Sequence, residues 1–257
     1  MGVSFLKETV LEKLLNKTEF ISVSEESRLK KYNVALQELK QREIAEMHIL
    51  DIIKIIKESD KLNLLIDELR EMREELLFAS LGHGATHCER VTILAFVIGV
   101  FKNLIEEDFK ILLESTKYHD IGRIDDNEDE FHGRRSANQF DEYNIGEGFS
   151  KEDKNILKAI CVGHSIDDKE FENIMQEFNI EEKEKCIRLF EILKDAVALD
   201  RVSLKYSEEE IQALGVDDSI IDLNYLRTNY YKMMIPAAYE LYENYQNEIE
   251  LYKNLLK

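Results

Sequence analysis

Apolar residues recur at helical spacing along most of this chain, and few helix-breaking residues interrupt them. The sequence of 257 residues has one proline and ten glycines, and 44% of its residues are hydrophobic. Residues 4–16, 24–58 and 60–80 repeat apolar side chains every three or four positions, which is the period of an amphipathic helix. No run alternates apolar and polar residues for long enough to predict a strand. The pattern predicts an all-α fold.

Three regions differ in the kind of helix that they predict. Residues 1–80 predict amphipathic helices without catalytic residue types in suggestive positions, and we interpret them as a helical appendage or oligomerisation region. Residues 81–206 include the run 86–103, which is apolar on all sides after Arg90 and predicts a central helix. Residues 207–257 predict C-terminal helices that pack on this core.

The apolar faces of residues 1–80 must be covered by another surface. The last predicted helix, residues 236–256, begins with Pro236 at a first-turn position and offers a stripe at helical spacing. We interpret that stripe as a packing surface; it consists of Tyr239, Tyr242, Tyr245, Ile249 and Tyr252. Two arrangements stay open, which are fold-back onto the C-terminal helix and a homodimer through residues 1–80.

The negative charge of the chain argues against general nucleic-acid binding. The net charge is −19. Residues 1–80 carry 13 Lys+Arg and 16 Asp+Glu, and the rest carries 21 and 37, so the balances are −3 and −16. Such a surface repels polyphosphate backbones at long range. It leaves room for a small phosphorylated ligand held close to a metal ion.

Other sequence features predict a cytoplasmic protein. No stretch is long and apolar enough for a transmembrane helix, so no membrane partner is expected. The N-terminal residues lack the basic start and apolar run of a secretory signal. The three cysteines have no paired spacing, which favours reduced thiols; they are Cys88, Cys161 and Cys186.

His119 and Asp120 stand at the end of a predicted buried helix, residues 107–119. The run KYHDIGR follows apolar residues, and Gly122 marks a helix stop. Imidazole and carboxylate groups are ligands that suit Mn, Fe, Co, Ni, Zn or Mg. The pair therefore predicts metal ligands where a buried helix opens into a loop.

Further candidate ligands occur on other predicted helices. His83 lies before a predicted helix, and His87 lies in the first turn of that helix. His164 ends the helix that Ser150 caps. Asp195 and Asp200 lie in an otherwise apolar helix, where a carboxylate needs a cation or a partner. Together with His119 and Asp120, these residues are what a metal site in a helical bundle requires. Taken singly, His87 fits a core histidine, and both aspartates fit ion pairs with Lys194, Arg188 or Arg201.

The order of these motifs resembles the HD-domain phosphohydrolase superfamily over about residues 81–206. The matching segments are HGATHCERV (83–91), YHDIGR (118–123), HGRRSA (132–137), VGHS (162–165) and KDAVALDRV (194–202). The resemblance implies an HD-domain-like helical bundle and one or two divalent metal ions, held by His87, His119, Asp120 and a late aspartate. It also implies hydrolysis of phosphate mono- or diesters, often of nucleotides.

One position departs from the pattern of that superfamily. The late aspartate commonly follows an alanine, but here Ala196 is followed by Val197. Asp200 lies three residues after Val197, near the same helix face, and is our candidate ligand. Asp195 lies about 200° away around an ideal helix and is the weaker choice. If neither reaches the metal, the domain is a catalytically degraded binding or regulatory module.

The ligand types predict the chemistry. Asp120 can both bind the metal and accept a proton from water. His132 and His164 are candidates to protonate the leaving oxygen or to bind a second metal ion. Guanidinium groups match phosphate oxygens, so the candidate substrate-binding residues are Arg90, Arg123, Arg134 and Arg135. The alternative for these arginines is pairing with the acidic run at residues 125–130.

The favoured function is metal-dependent hydrolysis of a small phosphorylated substrate, a nucleotide by resemblance. A single-strand nuclease of the same fold is an alternative, but the chain has no basic stripe interleaved with aromatic residues, which strand binding needs.

Overall fold

The structure is a computed structural model that describes residues 8–22, 45–80, 83–127, 129–201 and 229–255. These ranges contain ten α-helices and no strand, so the predicted all-α fold is confirmed. The helices are α1 (Val10–Asn16), α2 (Ile49–Glu58), α3 (Leu62–Arg70), α4 (Ala85–Phe101), α5 (Glu106–Tyr118), α6 (His132–Gln139), α7 (Lys151–Gly163), α8 (Phe171–Glu177), α9 (Lys183–Asp200) and α10 (Asn229–Leu255).

Local hydrogen bonds explain where several helices begin. The side chain of Thr9 accepts the amide of Glu12, and the carboxylate of Glu12 accepts the amide of Thr9, which is a capping box for α1. Ser150 caps α7 by accepting the amide of Asp153, as predicted. The predicted amphipathic stretch 24–58 is helical only from Ile49 within the described residues, because residues 45–48 are not helical and the proposed cap at Ser24 lies outside them.

The chain forms two compact units, one of residues 1–71 with 198–257 and one of residues 72–197. The domain boundaries predicted at residues 80 and 206 stay a prediction.

In the unit built from the two ends of the chain, α1 and α2 pack against α10. The N-terminal helices therefore cover the C-terminal helix, which is the fold-back arrangement. Tyr239, Tyr242 and Tyr245 are buried and belong to the packing surface, while Tyr252 lies outside the residues whose side chains are described. A homodimer through residues 1–80 stays a prediction.

Pro236 does not begin a helix; it lies inside α10, so its predicted first-turn position is wrong. A proline within a helix removes one N–H donor and disturbs the preceding turn. The backbone N–H of Met47 donates to the carbonyl of Met233 at 2.8 Å, in the turn before the proline. The Met47 amide, which lies outside α10, thus bonds to a carbonyl in the turn where the proline disturbs the helical hydrogen bonds.

The unit of residues 72–197 is built around α4. Every residue of α4 from Arg90 to Gly99 is buried, as predicted for a central helix. α4 packs on α5, α5 and α6 pack on α7, and α7 packs on α8. Within the described ranges, no helix is long and apolar enough to cross a membrane. The packing brings the ends of α5 and α7 close to the starts of α4 and α6, and several histidines lie where these helix ends meet.

Asn244 is a buried polar residue that joins α10 to the segment after α1. Its side-chain amide donates to the carbonyl of Ile21 at 3.0 Å, and its Oδ1 accepts the amide of Ile21 at 3.1 Å. We expect Asn244→Ala to lower the free energy of unfolding by about 1–3 kcal/mol, because both backbone groups lose their partner. Urea denaturation measures the change. Asn247→Ala on the same helix is the control, and equal effects of the two variants would contradict this role.

Candidate metal centre

Four histidines and one aspartate meet at the ends of four helices. His87 lies in the first turn of α4, and His119 is the C-cap of α5, followed directly by Asp120. His132 begins α6, and His164 is the C-cap of α7. All five side chains are buried. Helix ends suit this role because they leave side chains and backbone groups free of the helical ladder.

The first set of possible ligands, the Oδ2 group, consists of His87, His119 and Asp120. The two Nε2 atoms are 3.2 Å apart. They lie 3.6 Å (His87) and 3.5 Å (His119) from Oδ2 of Asp120. These ligand atoms are close enough to one another to hold a single metal ion. The structure thus brings together three of the four predicted metal ligands.

The second set, the Oδ1 group, consists of His132, His164 and the same Asp120. The Nε2 atoms of the two histidines are 2.8 Å apart. They lie 3.1 Å (His132) and 3.5 Å (His164) from Oδ1 of Asp120. This group could also hold a metal ion. Asp120 therefore belongs to two groups and presents one oxygen to each.

Main-chain carbonyls orient three of the imidazoles. Nδ1 of His119 lies 2.9 Å from the carbonyl oxygen of Thr116, and Nδ1 of His164 lies 2.6 Å from that of Cys161. Nδ1 of His132 bonds the carbonyl oxygen of Asp129 in the same way. A carbonyl oxygen only accepts, so each Nδ1 carries the proton. In the neutral ring, Nε2 then presents a lone pair to the cluster.

With this tautomer, the Nε2 acceptor of one imidazole faces the Nε2 acceptor of another. Nε2 of His132 and Nε2 of His164 cannot hydrogen-bond each other at 2.8 Å unless a cation or an added proton lies between them. Burial lowers the pKa of His164 to about 4, and it lowers the pKa of His119 well below 6.5. Near neutral pH, protonation of these rings is therefore unfavourable. The donor set fits a metal cation, whose usual histidine ligand is a neutral imidazole.

The carboxylate of Asp120 is held in its charged form. Burial by itself would raise the pKa of Asp120, and positive charge or protons shared with the imidazoles of His119, His132 and His164 hold that pKa well below its usual range. A carboxylate with so low a pKa is a good ligand and a poor proton acceptor. The charged carboxylate suits a metal ligand, and the predicted role of Asp120 as a base stays a prediction.

Two glycines let the helices approach closely around the cluster. A Cβ on Gly122 would lie 2.4 Å from the Ser136 amide nitrogen, and one on Gly133 would lie 2.4 Å from the Cys161 carbonyl oxygen. Both distances are too short for any side chain. Gly122 is therefore needed for close backbone contact and has more than the predicted role of a helix stop. For Gly133, the glycine within HGRRSA is a sequence signal for such a contact that the sequence analysis did not use.

Ser136 is a site residue that the sequence reasoning missed. Its buried hydroxyl lies 2.6 Å from the carbonyl oxygen of His119 and 3.0 Å from that of His132, and it accepts the amide of Gly122 at 2.9 Å. The Ser136 hydroxyl thus connects the backbone at His119, a member of the Oδ2 group, with the backbone at His132, a member of the Oδ1 group.

The four predicted substrate-binding arginines have different surroundings. Nε of Arg123 lies 3.2 Å from Oδ2 of Asp120, so Arg123 borders the cluster. Arg134 forms a two-point ion pair with Glu177, and Arg135 pairs with Asp129 of the acidic run. Arg90 is fully buried in α4. Arg135 therefore pairs with the acidic run, which is the alternative to substrate binding for that residue. Substrate binding by these arginines stays a prediction.

Both late aspartates are buried in α9. Asp195 lies in the unit of residues 72–197, but it is not a member of either possible metal group among the described residues. Asp200 lies in the other unit. Its role as the fourth ligand stays a prediction.

The acidic run after Asp120 is partly tied to the metal-binding unit. Asp126 accepts from the hydroxyl of Ser80 and lies 2.9 Å from Nδ1 of His83. The ring of His83 packs edge-on against the ring of His87, with centroids 5.7 Å apart. Burial lowers the pKa of His83, and the hydrogen bond to Asp126 opposes that effect. This run therefore borders the candidate metal centre.

Comparison of the chain with protein-family models, curated proteins and solved structures found no match. The interpretation of this centre depends on its geometry.

The buried histidines predict acid sensitivity of the metal-free protein. The folded-state pKa values of His119 and His164 lie below 6.5, so the unfolded chain binds more protons as the pH falls. The free energy of unfolding should be highest above pH 6.5 and should fall towards pH 4, by about 3 kcal/mol for His164. Urea denaturation of chelator-treated protein over this range tests this. His164→Asn should flatten the profile, and a flat wild-type profile would contradict it.

Ser136→Ala should loosen the metal centre because it removes the hydroxyl between the two groups. We expect metal affinity to fall by about tenfold or more, as for other residues that orient ligands. Ser150→Ala is the control because it removes a helix cap at a cost of about 1 kcal/mol without touching a ligand. Competitive titration with a metal indicator measures the affinities. An equal loss of affinity in both variants would refute this role for Ser136.

Proposed function

We propose that this chain is a metal-dependent phosphohydrolase of the HD-domain type that cleaves a phosphate mono- or diester of a small nucleotide. The single observation that carries the proposal is the pair of buried groups around Asp120: each places two imidazole nitrogens beside one carboxylate oxygen, and the acceptor Nε2 atoms of His132 and His164 face each other. Such an arrangement is unfavourable for neutral side chains alone and favourable around cations. The order of motifs along the sequence supports the HD-type assignment.

The residue types suit a catalytic metal centre. Each group offers two imidazoles and one carboxylate oxygen, and three protein ligands are typical of sites that keep a position for water or substrate. The Oδ2 group would hold one divalent ion and the Oδ1 group a second. Mn, Fe, Co, Ni, Zn and Mg are candidates on ligand type.

Divalent ions in these groups would supply an activated water at neutral pH and would polarise a phosphoryl oxygen. Asp120 would keep its charge and present one oxygen to each group, because its pKa is held well below its usual range. His132 and His164 would act as ligands rather than as proton donors, since their Nδ1 protons are bonded to main-chain carbonyls. Arg123 borders Oδ2 and would bind a phosphate oxygen of the substrate.

The charge of the chain supports a small substrate over a nucleic acid. A net charge of −19 opposes a long polyphosphate backbone, whereas a single phosphate group needs only a local cationic site. Ions bound at the two groups and the guanidinium of Arg123 would provide that site. A nucleotide substrate is the part of this proposal that comes from the resemblance.

We expect the purified protein to bind divalent metal at the two groups and to hydrolyse phosphate esters. Asp120→Asn preserves the side-chain volume but removes the shared charge, so metal content and hydrolysis should both fall to background. Elemental analysis and a panel of nucleotides and other phosphate esters, with and without Mn²⁺ or Co²⁺, measure the two properties. Circular dichroism should show the same helix content as the wild type.

Asp141→Asn is the matched control, because Asp141 pairs with Lys158 at the surface. It should keep both metal and activity. Wild-type hydrolysis by Asp120→Asn would place the chemistry elsewhere and contradict the proposal. Metal binding without hydrolysis of any ester would support the alternative of a degraded binding module.

A further inference from the structure

The two groups around Asp120 differ in their contact with a protein cation. Nε of Arg123 lies 3.2 Å from Oδ2, the oxygen that faces His87 and His119. Its Nη1 donates to the carbonyl of Asn127 at 3.1 Å, and 11% of the side chain is exposed. The corresponding contacts of Oδ1 are with the imidazoles of His132 and His164. The charge of Arg123 therefore acts mainly on one group.

The contact between Arg123 and Asp120 is close but incomplete. Within the described residues, the buried Nε–H of Arg123 has no hydrogen-bond acceptor in suitable geometry, although the carboxylate is near. Good ion pairs of arginine with carboxylates use aligned and often bidentate hydrogen bonds. The guanidinium thus contributes charge to Oδ2 without a full set of bonds, which makes it easier to displace.

We propose that Arg123 is an internal counter-cation for the Oδ2 group, and that a divalent ion entering this group displaces it onto a phosphate of the substrate. The inference rests on the proposed function, because it takes the two groups to be metal sites. It predicts unequal metal sites and cooperation between phosphate and one of the ions.

The inequality follows from repulsion between like charges. An ion in the Oδ2 group shares a carboxylate oxygen with the guanidinium of Arg123, whereas an ion in the Oδ1 group shares its oxygen with the imidazoles of His132 and His164. Repulsion between cations at such short range inside a protein is strong. The Oδ1 group should therefore bind its ion first and more tightly, and the Oδ2 group second.

The cooperation follows from the need of the displaced guanidinium for an anion. A largely buried charge is unfavourable without a partner, and a guanidinium fork matches a phosphate group. Phosphate therefore stabilises the state in which Arg123 has left Oδ2. By thermodynamic linkage, phosphate and the second ion strengthen each other by the same factor, for which about tenfold is typical.

Titration of the metal-free protein with Mn²⁺, with and without inorganic phosphate, tests the inference by calorimetry or equilibrium dialysis. In the wild type we expect two steps whose affinities differ by about tenfold or more, with phosphate strengthening the weaker step about tenfold. Arg123→Gln should tighten the weaker step without phosphate and reduce the effect of phosphate. Arg123→Lys keeps the charge and should keep the steps apart. Arg70→Gln, which removes a different arginine–carboxylate pair, is the control.

Two further variants assign the steps to their groups. His87→Gln should remove the weaker step, and His164→Gln should remove the tighter one. The opposite assignment would overturn the inference. Circular dichroism identifies variants that keep the helices, and Arg123→Met tests the same loss of charge if Arg123→Gln does not fold.

The failure of this inference can be distinguished from failure of the proposed function. Two equal steps in both the wild type and Arg123→Gln would overturn the role of Arg123 and leave the metal centre in place. An undiminished phosphate effect in Arg123→Gln would also overturn it, because phosphate would then act by contacting the ions directly. Absence of Mn²⁺ binding to the wild type would overturn the proposed metal centre itself.

Discussion

The buried carboxylate of Asp120 is the group on which the arrangement of the metal-binding unit depends. It lies at 1% exposure among imidazole nitrogens from four helices and the guanidinium of Arg123. A buried charge is costly unless cations or hydrogen-bond donors surround it. Imidazoles whose Nε2 atoms are acceptors, as at His119, His132 and His164, do not meet that need alone. Divalent ions would satisfy the carboxylate and the imidazoles together, and this is why we interpret the cluster as a metal centre.

Backbone interactions hold these side chains in place. Helix-end carbonyls bond Nδ1 of His119 and His164 and thereby select the tautomer that points Nε2 inwards. Ser136 connects the backbone at His119 with that at His132, and glycine at position 133 permits α6 to approach the end of α7. The site is therefore built within residues 72–197, whereas the two ends of the chain pack with each other.

The general form of the fold could be predicted from the sequence because helical periodicity and burial are local properties of a segment. The run 86–103 predicted a central helix, and α4 is buried on both sides. The position of Pro236 could not be predicted in this way. Proline favours the first turn of a helix on average, but here α10 continues through it, and a backbone donor from Met47 bonds to a carbonyl in the preceding turn.

For the candidate site, the sequence by itself determined which residue types were available: histidines and an aspartate at the ends of predicted buried helices. Only the tertiary structure decided that Asp120 presents one oxygen to each histidine pair, and that Arg123 lies beside Oδ2 while Arg135 pairs with Asp129. It also decided the role of Ser136, whose importance comes from two carbonyls 17 and 4 residues away along the chain. The physical reason is that helix periodicity is encoded within one turn, whereas the grouping of ligands depends on how separate helices pack.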